Sequence, residues 1–454
     1  MGKRCRLWTA ICNASSKLCG YPGVRAHNNY PEVSRNVQSW CKNPCSCGCQ
    51  QAADHDHEVD EEKIEASRIR REMIAGVSAD PSMSARQAYE RVAQNVQQHQ
   101  RDSIPPFSQV RSSLDQERRR HIPAIPSTVN QVAINGRWRR TESGGRFLSK
   151  LDNGWGIAIF CTDEQLRCLG ECEDIYLDAT FKSVPRPYTQ FFTLHGFYQD
   201  RVIPFAFALM ANRQVGSYRQ ILRHLKTRYH RLTNRHLQPS RIIADFETPM
   251  KTAAETEFPQ ARWSGCFFHF CKSIWRRIVK DGLRRPYNRN REFRKCVRKL
   301  MALAYLPVAL VRQNYLFLRQ RATTRLMCIR YPRLLQLFSY FERNYLNGQF
   351  PPACWNVYNR DMDNRTNNHV ESFNKRWNAT VGRVHPNLWY FLRKLRTEEK
   401  RGSLAIAATR RGDPPPPRKR KYRRLDRLQQ DYRRGRRTAV QYWEAMVYTV
   451  AQFH

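Results

Sequence analysis

The 454-residue chain carries 79 Lys and Arg residues against 39 Asp and Glu residues, a formal net charge of +40 at pH 7, and 41% of its residues are hydrophobic. This composition predicts a folded protein with two or three domains, and the positive charge favours nucleic acid as the partner over a membrane surface. No apolar run approaches the ~20 residues of a membrane span. The apolar stretch after the basic start is too short for a secretory signal. We therefore expect an intracellular protein whose 15 cysteines are thiols or metal ligands.

The first part of the chain is rich in cysteine and histidine and is predicted as a separate segment, residues 1–58. Its stretch "WCKNPCSCGCQQAADHDH" contains Cys41, Cys45, Cys47, Cys49, His55 and His57. Residues 59–125 are polar and predict three helices, in "DEEKIEASRIRREMI", "SMSARQAYERVAQNV" and "PPFSQVRSSLDQERRRH". Ser82 or Ser84 is the expected N-cap of the second helix. This region is either a small helical DNA-binding unit or a charged connector.

The Pro-rich stretch "HIPAIPSTV" leads into the main domain, predicted as residues 126–398. Strands are predicted in "IYLDATF", in a hairpin of "YTQFFTLHGFY" and "VIPFAFALM" that turns at Gln199-Asp200, in "RIIADFE" and in "RWSGCFFHF". Helices are predicted in "SYRQILRHLKTRYHRL", "PMKTAAETEF" and "KSIWRRIVKDGL". Three strands, a helix, a strand, a helix and a strand indicate a mixed α/β sheet.

Helical periodicity continues over about 288–366, which predicts a helical insertion before a further helix in "NNHVESFNKRWNATV". The C-terminal segment 399–454 is predicted as a basic tail, because 15 Lys and Arg residues face three Asp residues between Lys400 and Arg437. Such a tail fits both nuclear import and contacts with phosphates. A solvated, disordered tail is compatible with either.

Carboxylates in the predicted strands indicate the chemistry. Asp178 lies inside a buried strand, and Asp245 ends the apolar run "RIIA". Two acids on neighbouring strands repel each other unless a cation lies between them, and phosphoryl transfer uses two divalent ions held by carboxylates. Glu371 on the later helix is the candidate third acid, while its competitor Asp363 lies in a loop-like stretch. Taken singly, each acid is more simply explained as a cap or a salt bridge.

The motifs "IYLDATF", "TLHGF", "VIPFAFALM", "IIADFE", "GCFFHF" and "NNHVESF" occur in an order that resembles the transposase domain of Mutator-like elements (MULE). The resemblance covers roughly residues 125–395. It implies a ribonuclease H-like fold with a helical insertion, and a DDE triad of Asp178, Asp245 and Glu371 that binds Mg²⁺ or Mn²⁺. Intervals of 67 and 126 residues separate the three acids, and the second interval has room for the insertion.

The same family has a Cys-x-x-His signature after the second aspartate, matched here by Cys266 and His269. One thiolate and one imidazole are half of a zinc site. A structural or substrate-contacting role is therefore expected for this pair rather than zinc binding.

The N-terminal cluster resembles the end of a FLYWCH-type zinc finger, best in "HDHEVDEEKIEASRIRREM". The resemblance implies His55 and His57 as zinc ligands. It leaves open which cysteines complete the Zn²⁺ site, and Cys41 with Cys45 is the pair that we expect. The aromatic strands that open such a finger are missing or scrambled, so a partial or degenerate finger and a disordered Cys-rich segment both stay open.

The leading hypothesis is a nuclear DNA transposase that cleaves phosphodiesters and transfers strands, with transposon ends and target DNA as partners and a homo-oligomer as a possible assembly. The alternative is a domesticated, non-catalytic DNA-binding regulator descended from a transposase. A ribonuclease H-like nuclease of other specificity shares the metal chemistry and differs in substrate.

Overall fold

A computed structural model of the protein describes residues 60–81, 83–324, 327–360, 368–415 and 420–450. The predicted Cys/His-rich segment 1–58 lies outside these residues. The contacts described below lie within the compact unit that begins at Lys63.

Three helices form a small cluster before the sheet. They are α1 (Glu61–Ala79), α2 (Ala85–Asn95) and α3 (Phe107–His121), in agreement with the three predicted helices. Ser84 caps α2 through a capping box with Gln87, which satisfies two backbone N–H groups that the first turn leaves free. Met73 and Leu114 are fully buried between the helices. A DNA-binding role for this cluster stays a prediction.

A seven-stranded mixed sheet forms the centre of the main domain, in the order β1-β2-β5-β4-β3-β6-β7. The strands are β1 (Leu148–Asp152), β2 (Ile157–Phe160), β3 (Asp174–Thr180), β4 (Gln190–Tyr198), β5 (Arg201–Met210), β6 (Arg241–Ala244) and β7 (Arg262–Gly265). Helices α4 (Asp163–Leu169), α5 (Val215–Thr233), α6 (Thr248–Glu257) and α7 (Phe267–Lys280) lie between or after them. The pairs β3–β6 and β6–β7 are parallel and the others antiparallel. The predicted fold class is confirmed, because this mixed sheet with its helices is consistent with a ribonuclease H-like fold.

Local structure differs from the prediction in two places. Strands β1 and β2 were not predicted, and they extend the sheet beyond β5. The predicted strand "RWSGCFFHF" was wrong in its second half, because β7 ends at Gly265 and the N–H of Phe270 donates to the carbonyl of Cys266 at 2.9 Å as α7 begins. A short aromatic run has no period that separates strand from helix.

The helical insertion forms a second core beside the sheet. Its helices are α8 (Arg284–Arg289), α9 (Arg291–Ala302), α10 (Val308–Thr324), α11 (Met327–Arg330), α12 (Arg333–Phe341) and α13 (Pro352–Trp355). The chain then forms α14 (Asn368–Val381), α15 (Leu388–Arg410), α16 (Arg420–Arg433) and α17 (Ala439–Met446). The ring of Phe270 on α7 stacks on Trp355 at 4.6 Å, so the insertion core begins where the sheet domain ends.

The two C-terminal helices also contribute to the insertion core. Trp443 is fully buried there and its indole N–H donates to the carbonyl of Lys299 at 3.0 Å. Tyr432 stacks on Tyr442 with ring centroids 4.8 Å apart. Residues 420–450 are therefore packed helices, and α15 runs across the predicted boundary at residue 399. The predicted domain boundaries themselves stay predictions.

Alternation along the strands separates two layers of the main domain. Leu177 of β3 and Ile242 of β6 face the core that includes α5 and α6. Tyr176 and Ile243 face the opposite side, where they contact Val370 of α14. Because side chains alternate with period two, Asp178 and Asp245 belong to the same face as Tyr176 and Ile243.

Aromatic packing fixes α14 on this face. Trp377 is fully buried and its ring lies 5.0 Å from Phe191 of β4 and 5.1 Å from Phe391 of α15. Phe373, one turn earlier, stacks parallel to Trp377. The position of Glu371 relative to the sheet therefore depends on this cluster.

We expect Trp377→Ala to lower the free energy of unfolding by about 3–5 kcal/mol, the range for emptying a buried aromatic site. Trp377→Phe should cost much less, because the buried indole N–H has no hydrogen-bond partner among the described residues. Trp155→Ala is the surface control, since 40% of Trp155 is exposed. Urea unfolding of the three variants measures the difference, and equal losses for the Trp377→Ala and Trp155→Ala variants would contradict the packing.

Candidate active site

The two aspartates lie side by side because of the register of two parallel strands. Tyr176 of β3 pairs with Ile243 of β6. Two residues further along the chain come Asp178, within β3, and Asp245, directly after the end of β6. Asp178 keeps 4% of its side-chain surface exposed and Asp245 keeps 42%. The pair is thus closed on the Asp178 side and open to solvent on the Asp245 side.

Asp178 is buried among groups that act on its charge in opposite directions. Burial raises the pKa of Asp178, the nearby charge of Asp245 raises it further, and His269 and the amide of Asn374 lower it. The Nδ2 group of Asn374 on α14 donates a hydrogen bond to Oδ2 of Asp178. The net shift of the pKa is upward, so the site favours the charged form of Asp178 only when further positive charge is present.

His269 lies between the aspartates. Its Nε2 is 4.0 Å from Oδ1 of Asp178 and its Nδ1 is 3.9 Å from Oδ1 of Asp245. Burial alone would lower its pKa, but Cys266, Asp245 and Asp178 outweigh burial and raise the pKa to about 10. The imidazole is therefore protonated at neutral pH and supplies a positive charge between the two carboxylates.

Glu371 lies in the first turn of α14 and is half-buried. Its Oε1 atom is buried and has no hydrogen-bond partner among the described residues. Burial raises the pKa of Glu371 to about 7, with a further upward contribution from Asp178 against downward contributions from His269 and Lys272. This carboxyl group can therefore hold or release a proton close to neutral pH.

The donors suit Mg²⁺ by type, since carboxylate oxygens are its usual protein ligands and Glu371 has a buried oxygen without a partner. Within the described part of the chain, however, no three His, Cys, Asp or Glu side chains are arranged to hold one ion. Asp178, Asp245 and Glu371 therefore fit a divalent cation by their chemistry, and the arrangement of their side chains defines no position for it.

The remaining sequence candidates divide into two groups. Cys266 is fully buried at the junction of β7 and α7, next to His269, and its role beyond raising the pKa of that histidine stays a prediction. The proposed zinc ligands Cys41, Cys45, His55 and His57 lie outside the described residues, as does Asp363.

Sequence reasoning missed two groups of side chains around the acids. Asn374 could have been suspected from its place three residues after Glu371, on the same side of a helix. Glu247, two residues after Asp245, accepts a hydrogen bond from the hydroxyl of Tyr218 at 3.0 Å, and that hydroxyl accepts one from Gln190 at 2.6 Å. Burial raises the pKa of Glu247, and no local sequence pattern indicates this network.

Comparison with known proteins identifies the region that contains the aspartates. Residues 175–273 match the MULE transposase domain. The match includes Asp178, Asp245, Cys266 and His269 and ends before Glu371. It implies a transposase or a transposase-derived protein, and with it DNA binding. No curated protein matches the chain, and none of the helices in the described residues has the length and apolar character to cross a membrane.

The raised pKa of Glu371 predicts a pH-dependent cost to stability. Between pH 4.5, the usual pKa of a glutamate, and pH 7, the folded protein keeps a proton on Glu371 that the unfolded chain releases. The free energy of unfolding therefore falls over this range, and the stabilising effect of the proton is lost once the pH has risen through 7. Glu371→Gln should therefore stabilise the metal-free protein at pH 8 by about 1–2 kcal/mol, after allowing for solvent screening. At pH 4.5 this gain should vanish.

Urea unfolding in EDTA at several pH values measures this difference. Glu90→Gln, on the exposed surface of α2, is the matched control and should show no comparable trend. A difference between wild type and Glu371→Gln that stays constant from pH 4.5 to 8 would contradict the assignment.

Proposed function

We propose that the protein is a DNA transposase with Asp178, Asp245 and Glu371 as its catalytic acids. The proposed reaction is hydrolysis of a phosphodiester at an element end, followed by attack of the freed 3′-hydroxyl on target DNA. Mg²⁺ or Mn²⁺ is the proposed cofactor, in keeping with the typical use of Mg²⁺ by DDE transposases. The observation that carries the proposal is the pair of aspartates at one level of β3 and β6, within a region that matches a transposase domain.

The chain's own residues supply three properties that this chemistry needs. Asp245 is open to solvent, on the side from which a substrate can enter, while Asp178 is held by the amide of Asn374. Glu371, with a pKa of about 7, is suited to exchange a proton with a reacting oxygen near neutral pH. Divalent ions, when bound, would polarise the phosphate and lower the pKa of an attacking water.

Positive charge in this site also has a role before any ion is bound. His269 lies about equally far from Asp178 and Asp245. Two like charges this close to each other in a partly dry site are stable only with a compensating cation. We propose that protonated His269 provides it, and that Cys266 helps to keep the imidazole charged.

One prediction of the proposed function concerns metal binding. Calorimetric titration of Mn²⁺ into the purified full chain should show saturable binding that Asp178→Asn abolishes, because an amide is a much weaker ligand than a carboxylate. Asp200→Asn is the matched control: it removes the same charge at an exposed hairpin position with φ of 67°, where Asn is well tolerated. Identical titrations of wild type and Asp178→Asn would make the regulator hypothesis the leading one.

A further prediction of the proposed function concerns DNA cleavage. Asp245→Asn should reduce Mn²⁺-dependent nicking of supercoiled plasmid by more than about 100-fold, beyond the loss typical of a group that only supports a metal ligand. Affinity for DNA in EDTA should stay within a factor of two or so of wild type, since one exposed acid contributes little to binding. Cleavage that survives the substitution would remove Asp245 from the mechanism.

The alternative proposal is a domesticated DNA-binding regulator, which has no need of three acids. The half-buried Glu371, with its unpaired oxygen, favours the enzyme, because such a group costs stability without a catalytic use. Nuclear localisation is proposed from the basic C-terminal segment, and homo-oligomer formation and a zinc finger that includes His55 and His57 are proposed from the resemblance.

A further inference from the structure

Helix α16 has two faces of different character. Leu425, Leu428 and Gln429 are buried, and the Nε2 group of Gln429 donates a hydrogen bond to the carbonyl of Tyr358. This face fixes the helix to the insertion core. The opposite face is exposed and carries Arg423 and Arg427. Arg434 directly follows the helix and is also exposed, and its backbone N–H still donates to the carbonyl of Gln430 at 2.9 Å. We call these three residues the arginine row.

Helical geometry puts the arginine row in one line. Arg423 and Arg427 lie about 40° apart around a helix of 3.6 residues per turn, and the last i to i−4 hydrogen bond, from Arg434 to Gln430, keeps Arg434 close to the same line. The three positions span about 16 Å along the axis. Gln430 is exposed between them. Among the described side chains, no carboxylate lies within ion-pair distance of any of the three arginines, and Asp431 is instead paired with Arg436 at 3.8 Å and with Arg437 at 3.5 Å.

The row is unfavourable to the isolated fold. Like charges four residues apart on a helix destabilise it, and Arg423 and Arg427 form such a pair. The helix is nevertheless fixed in this orientation by the burial of Leu425 and Leu428 in the insertion core. A partner that carries regularly spaced negative charge would relieve this repulsion.

We propose that the arginine row binds the phosphate backbone of duplex DNA, outside the site formed by the three acids. A row about 16 Å long is too extended for one small anion, whereas each strand of a duplex presents a phosphate every 3.4 Å along its axis. Guanidinium groups bind phosphates with two hydrogen bonds. The helical body on which α16 packs is itself basic, with 15 Lys and Arg residues against two Glu residues between Arg284 and Arg343. The choice of DNA among polyanions rests on the proposed function.

Binding of the full-length protein to a 30-base-pair duplex is measured in EDTA at several salt concentrations, so that no metal-dependent step enters. The variant R423Q/R427Q/R434Q is expected to lose at least about tenfold in affinity at 0.15 M salt. The slope of log affinity against log salt should fall by about 0.9 for each lost contact. The variant R423K/R427K/R434K, which keeps the charges, should retain the wild-type slope. Circular dichroism should show no loss of thermal stability in either variant, because the substitutions relieve repulsion or leave it unchanged.

A glutamine variant with the wild-type slope would overturn the proposal, as would a lysine variant whose slope falls as far. A loss of affinity for an RNA hairpin but not for the duplex would also overturn it, since the row would then serve another nucleic acid. Failure of the protein to cleave DNA would contradict the proposed enzyme but leave this result intact.

Discussion

The site depends on one electrostatic constraint: two carboxylates lie beside each other, one buried within β3 and the other directly after the end of the parallel strand β6. The register of β3 and β6 brings Asp178 and Asp245 together, and nothing in a sheet alone compensates their repulsion. His269, whose ring nitrogens lie 4.0 Å from Asp178 and 3.9 Å from Asp245, offsets part of this repulsion. His269 can lie near both acids because β7 ends at Gly265 and α7 begins at Phe267. The first turn of α7 then lies next to the ends of the strands.

Packing around the second aspartate connects this constraint to the insertion. Phe246, directly after Asp245, lies against Gly265 so closely that a Cβ atom there would come within 2.2 Å of the phenyl ring. The same ring also contacts Tyr345 and Phe350 of the insertion, with centroids 5.7 and 5.0 Å away. Glycine at the end of β7 and the aromatic core of the insertion therefore fix the backbone beside Asp245. The insertion therefore contributes to the packing that holds Asp245 in place.

Sequence patterns were sufficient to predict the central strands, with Asp178 inside one of them and Asp245 at the end of another, because buried strands leave apolar runs in which an acid stands out. The junction at Cys266 was not predictable, since "CFFHF" suits a strand as well as a helix and Cys266 is not a usual N-cap. Strands β1 and β2 are short and lack alternation. The contact of Asn374 with Asp178 joins residues 196 positions apart, and such a pair has no local signal. The packing of α16 and α17 was not predicted, because the many arginines made the segment read as a solvated tail. Leu425 and Leu428 are too few to give a clear apolar pattern among them.

The burial of α17 has a consequence for shortened forms of the protein. Trp443, Tyr442 and Met446 are fully buried in the same core as the insertion helices. Removal of residues 439–450 would therefore expose the apolar surface of that core, next to α9, to water. Loss of function would then come from failed folding, even though every acid of the site is still present. Retention of α17 is thus a stricter sign of an intact fold than retention of the three acids.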